Sequence, residues 1–372
     1  MIPQRGIYTV GNQQFIEKLP ALLHATKTGE QVTWSYGDDY FSQYDWTQEP
    51  VEHISQLYIE RCLQLRDEYD YLILFYSGGA DSHNILTHFI KAGIRIDEIF
   101  SFHAFEYYDK KRTKTFDTSR SEIQNEWYNT GLPDFKNLAT MLPDTKLTTF
   151  DYTQDALKFE LPDDWLNIVG EMLHVGAHHR ISRYQNSGVL NTIEKHKTAL
   201  IYGVDKPRVF VQGDHWYFAF LDIIASLPPR IPRSIETPNA VTENFYWSDK
   251  SRKILQKQSH LLRRFYQTNP TIEPPTHRKL SFEQRQFYDN ITRSVVYPFW
   301  RENIFQIDKP GSTFFNETET WIFDESKTAR EVWWDHYNHI IAQVDPRFLQ
   351  RSVNNGPIDG FSGFWSKWHK LA

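Results

Sequence analysis

An α/β fold, a twisted parallel sheet flanked by helices and followed by a helical C-terminal region, is what this sequence predicts. Three observations carry that expectation. The run Tyr71-Leu72-Ile73-Leu74-Phe75-Tyr76 is continuously apolar, as in a strand buried on both faces. Behind it, after the pair Gly78-Gly79, residues Ile85, Leu86, Phe89 and Ile90 fall on one helical face, and Gly93 is a stop signal. A second strand over Ile99 to Ala104 completes strand, turn, helix and strand within about 30 residues, the size of a βαβ unit.

The other elements follow along the chain. Residues 12–27 pattern as a helix, and Gln31 to Tyr36 alternates like a strand. Pro50 marks the start of a long helix carrying Ile54, Leu57, Tyr58, Cys62 and Leu65 at helical spacing. Further helices are expected at 118–129 and 165–186, and strands at 146–152 and 198–202, an alternation that suits a parallel sheet. Proline-rich stretches run from Pro228 to Pro238 and through Pro270, Pro274 and Pro275. Between them Ser248 caps a helix with Ile254, Leu255, Leu261, Leu262 and Phe265 inward. Beyond 276 the pattern is helical and irregular, with a helix at 325–343. Residues 1–69 therefore read as a helical and stranded extension, 70–226 as the α/β core, and 227–372 as a mostly helical region packed on it.

Composition narrows the function classes. With 40% hydrophobic and 24% charged residues the chain has the makeup of a folded soluble protein. Its net charge of -6, from 41 basic and 47 acidic residues, disfavours nucleic acid as a partner, because nonspecific binding needs a basic surface. No apolar run approaches the about 20 residues that cross a bilayer, and the start Met1-Ile2-Pro3-Gln4-Arg5 leads into no apolar signal segment, so a cytoplasmic protein without membrane partners is expected. The single cysteine, Cys62, rules out an internal disulfide, a multi-cysteine zinc site and a CxxC pair.

The chemistry concentrates at Ser77-Gly78-Gly79-Ala80-Asp81-Ser82. Two glycines let backbone N–H groups approach phosphate oxygens, and a helix opening near Ser82 adds its positive end. Ser77 and Ser82 supply hydroxyls, and Asp81 supplies a hard oxygen of the kind Mg²⁺ takes. Nowhere does the chain carry GxxxxGK[ST], the loop of γ-phosphate-handling NTPases.

This segment, behind Leu72-Ile73-Leu74-Phe75-Tyr76, resembles the SGGxDS loop of the N-type ATP pyrophosphatases. That PP-loop superfamily has the adenine nucleotide alpha-hydrolase-like (HUP) fold and includes asparagine, GMP, NAD and argininosuccinate synthetases and the tRNA lysidine-forming ligase. The resemblance implies a cofactor pair of ATP and Mg²⁺, with Ser77, Gly78, Gly79, Asp81 and Ser82 at the nucleotide. It also implies cleavage between the α- and β-phosphates to activate a carboxylate or amide oxygen of a small-molecule substrate for attack by nitrogen. A second element, Leu200-Ile201-Tyr202-Gly203-Val204-Asp205-Lys206-Pro207-Arg208, is similar to the asparagine synthetase branch. There the likeness implies Gly203 near the pyrophosphate, Asp205 on a second Mg²⁺, and Lys206 or Arg208 neutralising the α-phosphate. The branch's usual acidic pair is replaced by Asp-Lys, and an ordinary exposed loop stands as the other reading. Phe102-His103-Ala104 is placed where family members bind adenine through the backbone, the His103 ring itself reading as structural. The aromatic-rich chain also resembles small asparagine-synthase-like proteins carried by bacteriophages.

Glu171, His174 and His178 share a helical face, with His179 and Arg180 adjacent; a metal site, a substrate-facing acid/base group and satisfied structural histidines all fit that spacing. Arg252, Lys253, Lys257, Arg263 and Arg264 read as a solvated face or a site for an acidic partner. Trp365, Lys367, Trp368 and His369 read as a stacking lid or as packing. Only 76 residues precede the loop and Cys62 is the lone cysteine, so an N-terminal cysteine glutaminase is excluded. Nitrogen would come from free ammonia, a substrate amine or a separate donor. A nucleotide-binding module without turnover and an enzyme modifying a nucleic acid base are the other function classes.

Overall fold

A computed structural model of the chain describes residues 6–107, 127, 131–158, 185–222, 239–277, 282–299, 325–351 and 358–372. It opens with strands β1 (Ile7–Val10) and β2 (Gln13–Phe15), helix α1 (Lys18–Thr28), strand β3 (Val32–Ser35) and the short helix α2 (Asp38–Phe41). Helix α3 (Ile54–Glu68) leads into β4 (Tyr71–Phe75), α4 (Ala80–Lys91) and β5 (Glu98–His103). Then come α5 (Leu132–Met141), β6 (Lys146–Asp151), α6 (Thr153–Lys158), α7 (Val189–Ile193) and β7 (Thr198–Tyr202). The hairpin β8 (Arg208–Gln212) and β9 (His215–Ala219) precedes β10 (Ala240–Asn244) and helices α8 (Arg252–Thr268), α9 (Phe282–Val296) and α10 (Lys327–Gln343). Strands β11 (Leu349–Arg351), β12 (Ile358–Phe361) and β13 (His369–Lys370) end the chain.

The central sheet is parallel throughout, in the order β10–β7–β4–β5–β6. The chain thus winds from β4 outward through β5 and β6, then returns to the other side of β4 with β7 and β10. The connections after β4 and β7 leave in opposite directions, so the strand order reverses between their carboxyl ends. In open α/β sheets that reversal is where ligands bind.

Side chains alternate across this sheet as strand geometry requires. Leu72, Leu74, Ile99, Ala199 and Ile201 join the main core, while Ile73, Phe75, Phe100, Leu200 and Tyr202 pack on the opposite face with Val189 and Ile193 of α7. Burial on both faces explains the unbroken apolar run of β4.

Several expectations are corrected. The stretch 12–27 is not one helix: Gly11, at φ 54°, turns the chain so that Gln13–Phe15 pairs antiparallel with β1, and the helix begins only at Lys18. Helix α3 starts at Ile54 rather than at Pro50, because His53 caps it, its Nδ1 accepting the Ser55 amide at 3.3 Å. β10 lies beyond residue 226 yet forms an edge of the parallel sheet, and β13 pairs with β9, so the stretch 227–372 also supplies strands. The expected helices at 118–129 and 165–186 fall almost wholly outside the described residues. No helix among the described residues is long and apolar enough to cross a membrane.

The basic run of α8 faces other parts of the same chain. Lys253 pairs with Glu52, while Lys257 (2.7 Å) and Arg264 (2.9 Å) share Glu49. Arg252 lies over the Tyr44 ring at 3.9 Å, and Arg263 donates to the Leu371 carbonyl at 2.8 Å. These charges hold the segment before α3 and the C-terminus against the helix, while Lys253 and Arg264 stay about half exposed, at 51% and 53%, so part of the run is also a solvated face.

The C-terminal aromatics pack on the β8–β9 hairpin. Trp365 and Trp368 lie 5.4 and 5.0 Å from Phe210, and the buried His369 stacks 4.7 Å from Trp46. Burial, with the Lys367 charge adding to it, lowers the His369 pKa to about 4. The neutral ring is therefore favoured in the folded chain, and its contribution is full above the unfolded pKa of about 6.5 and lost as pH falls toward 4. His369→Phe is expected to remove about 3 kcal/mol of the stability difference between pH 7 and pH 4. Urea unfolding at the two pH values checks this, and an unchanged difference would contradict it.

Candidate functional site

At the end of β4 the chain turns through Ser77–Gly79 into α4. Gly78 has φ 83°, a conformation that excludes most other residues. The Ser82 hydroxyl braces the turn, donating to the Gly79 carbonyl at 3.1 Å and accepting the Ser77 amide at 3.4 Å, while the Gly79 amide donates to Ser77 Oγ at 3.1 Å. Helix α4 begins at Ala80, two residues before the expected Ser82, and no side chain caps it. Asp81 and Ser82 thus lie in the first turn, where a helix presents unsatisfied N–H groups and positive potential.

The segment after β7 closes on this turn. A Cβ added to Gly203 would stand 3.0 Å from the Asp81 carbonyl carbon and Cβ and 3.1 Å from the Ser82 amide nitrogen. Gly203 is therefore glycine because the loop backbone touches it. Gly203→Ala is expected to displace the first turn of α4, costing about 1–3 kcal/mol as overpacking does and weakening anion binding there. Chemical denaturation and ligand titration measure the two effects, and a variant with native stability would show that the turn moves freely.

Lys206 and Asp205 are buried, not part of an exposed loop. Lys206 Nζ lies 2.9 Å from Asp81 Oδ2. Asp205 Oδ1 accepts the Lys206 amide at 2.6 Å and Oδ2 accepts from Arg208 Nη2 at 2.9 Å. Arg208 Nη1 reaches Asp289 of α9 at 3.4 Å. Asp81 Oδ1 accepts the Tyr297 hydroxyl at 2.5 Å, and the Asp81 carbonyl accepts Tyr246 at 2.9 Å, whose own oxygen takes the Asn84 amide at 2.9 Å. Burial opposes ionisation of Asp81, but the Lys206 ammonium, the Arg293 charge and the bonds from Tyr297 and Lys206 outweigh it, holding the carboxyl below its usual range.

Asp81, Ser77, Gly78, Gly79, Ser82, Gly203, Asp205, Lys206 and Arg208 thus converge at the reversal of strand order. His103 does not join them. It is buried at the end of β5 between Phe105 (5.4 Å) and Trp127 (5.0 Å), and its carbonyl accepts the Tyr152 amide at 3.1 Å. Asp289, Arg293 and Tyr297, which the sequence did not single out, come from α9 and the turn after it. They share no local spacing with the loop, so only the fold reveals them. Glu171, His174, His178, His179 and Arg180 lie outside the described residues, and among the described residues no group of three or more His, Cys, Asp or Glu could hold a metal.

An uncapped helix N-terminus, two hydroxyls and the cations Lys206, Arg208 and Arg293 meet here, the cations set against the carboxylates Asp81, Asp205 and Asp289, and the helix end and cations are the groups that take an anion. Comparison with protein-family models, curated proteins and solved structures finds no match.

Proposed function

We propose that the chain is an ATP-dependent, AMP-forming synthetase of the PP-loop kind, with the HUP variant of the α/β fold. The observation that carries this is the meeting of the Ser77–Ser82 loop with Lys206 and Arg208 at the carboxyl ends of β4 and β7. The loop and the first turn of α4 hold the ATP phosphates through N–H groups and the Ser77 and Ser82 hydroxyls. Lys206 and Arg208 neutralise charge that grows on the α-phosphate as a carboxylate or amide oxygen attacks it. Positioning and charge neutralisation supply the rate, as in other phosphoryl chemistry.

Mg²⁺, which offsets phosphate charge when bound, fits one of the two carboxylates assigned to it. Asp81 is partly exposed and needs only to exchange Lys206 or Tyr297 for the ion, the nucleotide and water completing the shell. Asp205 does not fit, since one oxygen holds the Lys206 amide and the other Arg208. Its role in this reading is to aim those two cations. The nitrogen donor is free ammonia, a substrate amine or a separate partner.

A screen of carboxylic acids and amines for ATP–pyrophosphate exchange and AMP release tests the reading. AMP and pyrophosphate in equal amounts with one acid is the expected result. Stoichiometric ADP and phosphate would overturn α–β cleavage, and ATP binding without AMP under any acid would leave a nucleotide-binding module.

A further inference from the structure

Helix α9 sets one face against the site. Asp289, Arg293 and Tyr297 stand four residues apart, and the Tyr297 amide still donates to the Arg293 carbonyl at 3.0 Å, so the three side chains share one side of the helix and its last turn. The first and last of them reach groups that the synthetase reading gives to the ligand. Asp289 Oδ1 lies 3.4 Å from Arg208 Nη1, both side chains being partly exposed. The Tyr297 hydroxyl donates to Asp81 Oδ1 at 2.5 Å from a buried position, its ring 5.6 Å from that of Tyr246. The Arg293 charge, between them, helps to hold Asp81 ionised. The end of α9 is pinned beside the loop, because the Tyr58 hydroxyl of α3 donates to the Val296 carbonyl at 2.8 Å.

The signs of these contacts are those of a ligand. A carboxylate oxygen stands on Arg208, as a phosphate oxygen does in charge-assisted pairs with arginine. A positively polarised O–H stands on an Asp81 oxygen, the atom type that a hard cation takes. Two side chains eight residues apart on one helix thus carry the charge pattern of a cation bound to a phosphate.

We propose that this face of α9 is an internal stand-in for a cation–phosphate ligand, the Tyr297 hydroxyl yielding Asp81 and the Asp289 carboxylate yielding Arg208 when that ligand binds; this rests on the nucleotide reading of the loop given above. Because Tyr58 pins the helix, the movement is confined to the two side chains. Each contact has to break, so each lowers affinity by the strength of the partner removed. The ligand class is sharpened accordingly. A polyphosphate carrying its cation replaces both contacts, whereas a bare anion or a bare cation replaces one.

Two probes titrated separately into the full chain test this: Mn²⁺ alone, read by paramagnetic relaxation of water, and inorganic pyrophosphate alone, read by calorimetry. Tyr297→Phe keeps the ring and the net charge but removes the hydroxyl. It is expected to tighten Mn²⁺ binding by about 10-fold, the scale of one hydrogen bond to a charged group, and to leave pyrophosphate affinity level. Asp289→Asn is expected to tighten pyrophosphate binding by about 2- to 5-fold, as a partly exposed pair allows, without tightening Mn²⁺. Mn²⁺ binding that weakens or stays level in a folded Tyr297→Phe would overturn the proposal, since the hydroxyl would then support the bound state instead of yielding to it. Asp289 is partly exposed, so Asp289→Asn carries the test where loss of the Tyr297 bond costs the fold, and level pyrophosphate affinity there would overturn the proposal as well. Tightened binding in both variants with no AMP under any acid would support the stand-in and sink the synthetase reading. Level affinities in variants of a chain that does form AMP would sink the stand-in alone.

Discussion

Asp81→Ala is expected to lower AMP formation by about 10²–10³-fold or more, the scale on which a single electrostatic partner of the transition state acts. Its carboxylate is the negative centre that Lys206 and Tyr297 meet, while Tyr246 holds its backbone carbonyl, and in the proposed reading it is the oxygen donor for the divalent cation. The stability effect should be smaller, about 1–3 kcal/mol. Lys206 keeps Asp205 at 3.7 Å after the change, and the Asp81 side chain is 26% exposed, so water reaches the vacated space. Because its neighbours hold Asp81 below the ordinary carboxyl range, the acid limb of activity assigned to it should also lie below that range. Lys206→Met separates the two roles of the pair. It frees one Asp81 oxygen, so Mn²⁺ binding without nucleotide, read by paramagnetic relaxation, should strengthen while AMP formation falls. Native AMP formation by Asp81→Ala would remove the loop from the chemistry.

The middle of the sheet was legible because β4, β5 and β7 are buried on both faces, and the half-exposed edge strand β6 because its sequence alternates. Tyr71–Phe75, Thr198–Tyr202 and Lys146–Asp151 appear within a residue of where apolar runs and alternation put them. The loop was legible for the same reason, since glycines behind a buried strand are a local signal. What escaped was set by partners far away in sequence. β10 carries Thr242, Glu243 and Asn244, which read as polar, yet Glu243 is buried because Arg61 (2.6 Å) and Tyr69 (2.5 Å) meet it. Tyr297 reaches Asp81 across 216 positions, and no window of sequence contains both. The two readings of Asp205-Lys206 could not be separated in sequence, because the carboxylate that meets Lys206, Asp81, lies 125 positions away. The His103 ring, which reads as structural in the sequence, packs between Phe105 and Trp127, whereas the placement of adenine on the backbone of this strand comes from the family likeness alone.

Asp222→Ala is expected to cost about 3–5 kcal/mol, the largest stability loss of any single replacement proposed for this chain. Asp222 follows β9 and is wholly buried, as is Lys18 in the first turn of α1, their charges 2.8 Å apart. The same carboxylate accepts the Tyr8 hydroxyl of β1 at 3.0 Å and the Phe364 amide at 2.9 Å, so one side chain joins the N-terminal sheet to the C-terminal segment. Removing it strands the Lys18 ammonium over the Phe364 ring, 5.2 Å from its centre, with no water to replace the lost charge. Attraction to a ring face is worth about 2 kcal/mol when desolvated, less than the desolvation of an ammonium, so the ring cannot substitute for the carboxylate. Lys18→Met in the Asp222→Ala background should therefore restore part of the loss, since the orphaned charge leaves with it. Urea unfolding of the wild type, both single variants and the double variant measures the coupling. Additive losses would mean that Lys18 and Asp222 act independently, and a loss below about 1 kcal/mol in Asp222→Ala would place the pair among weak surface contacts, against its burial.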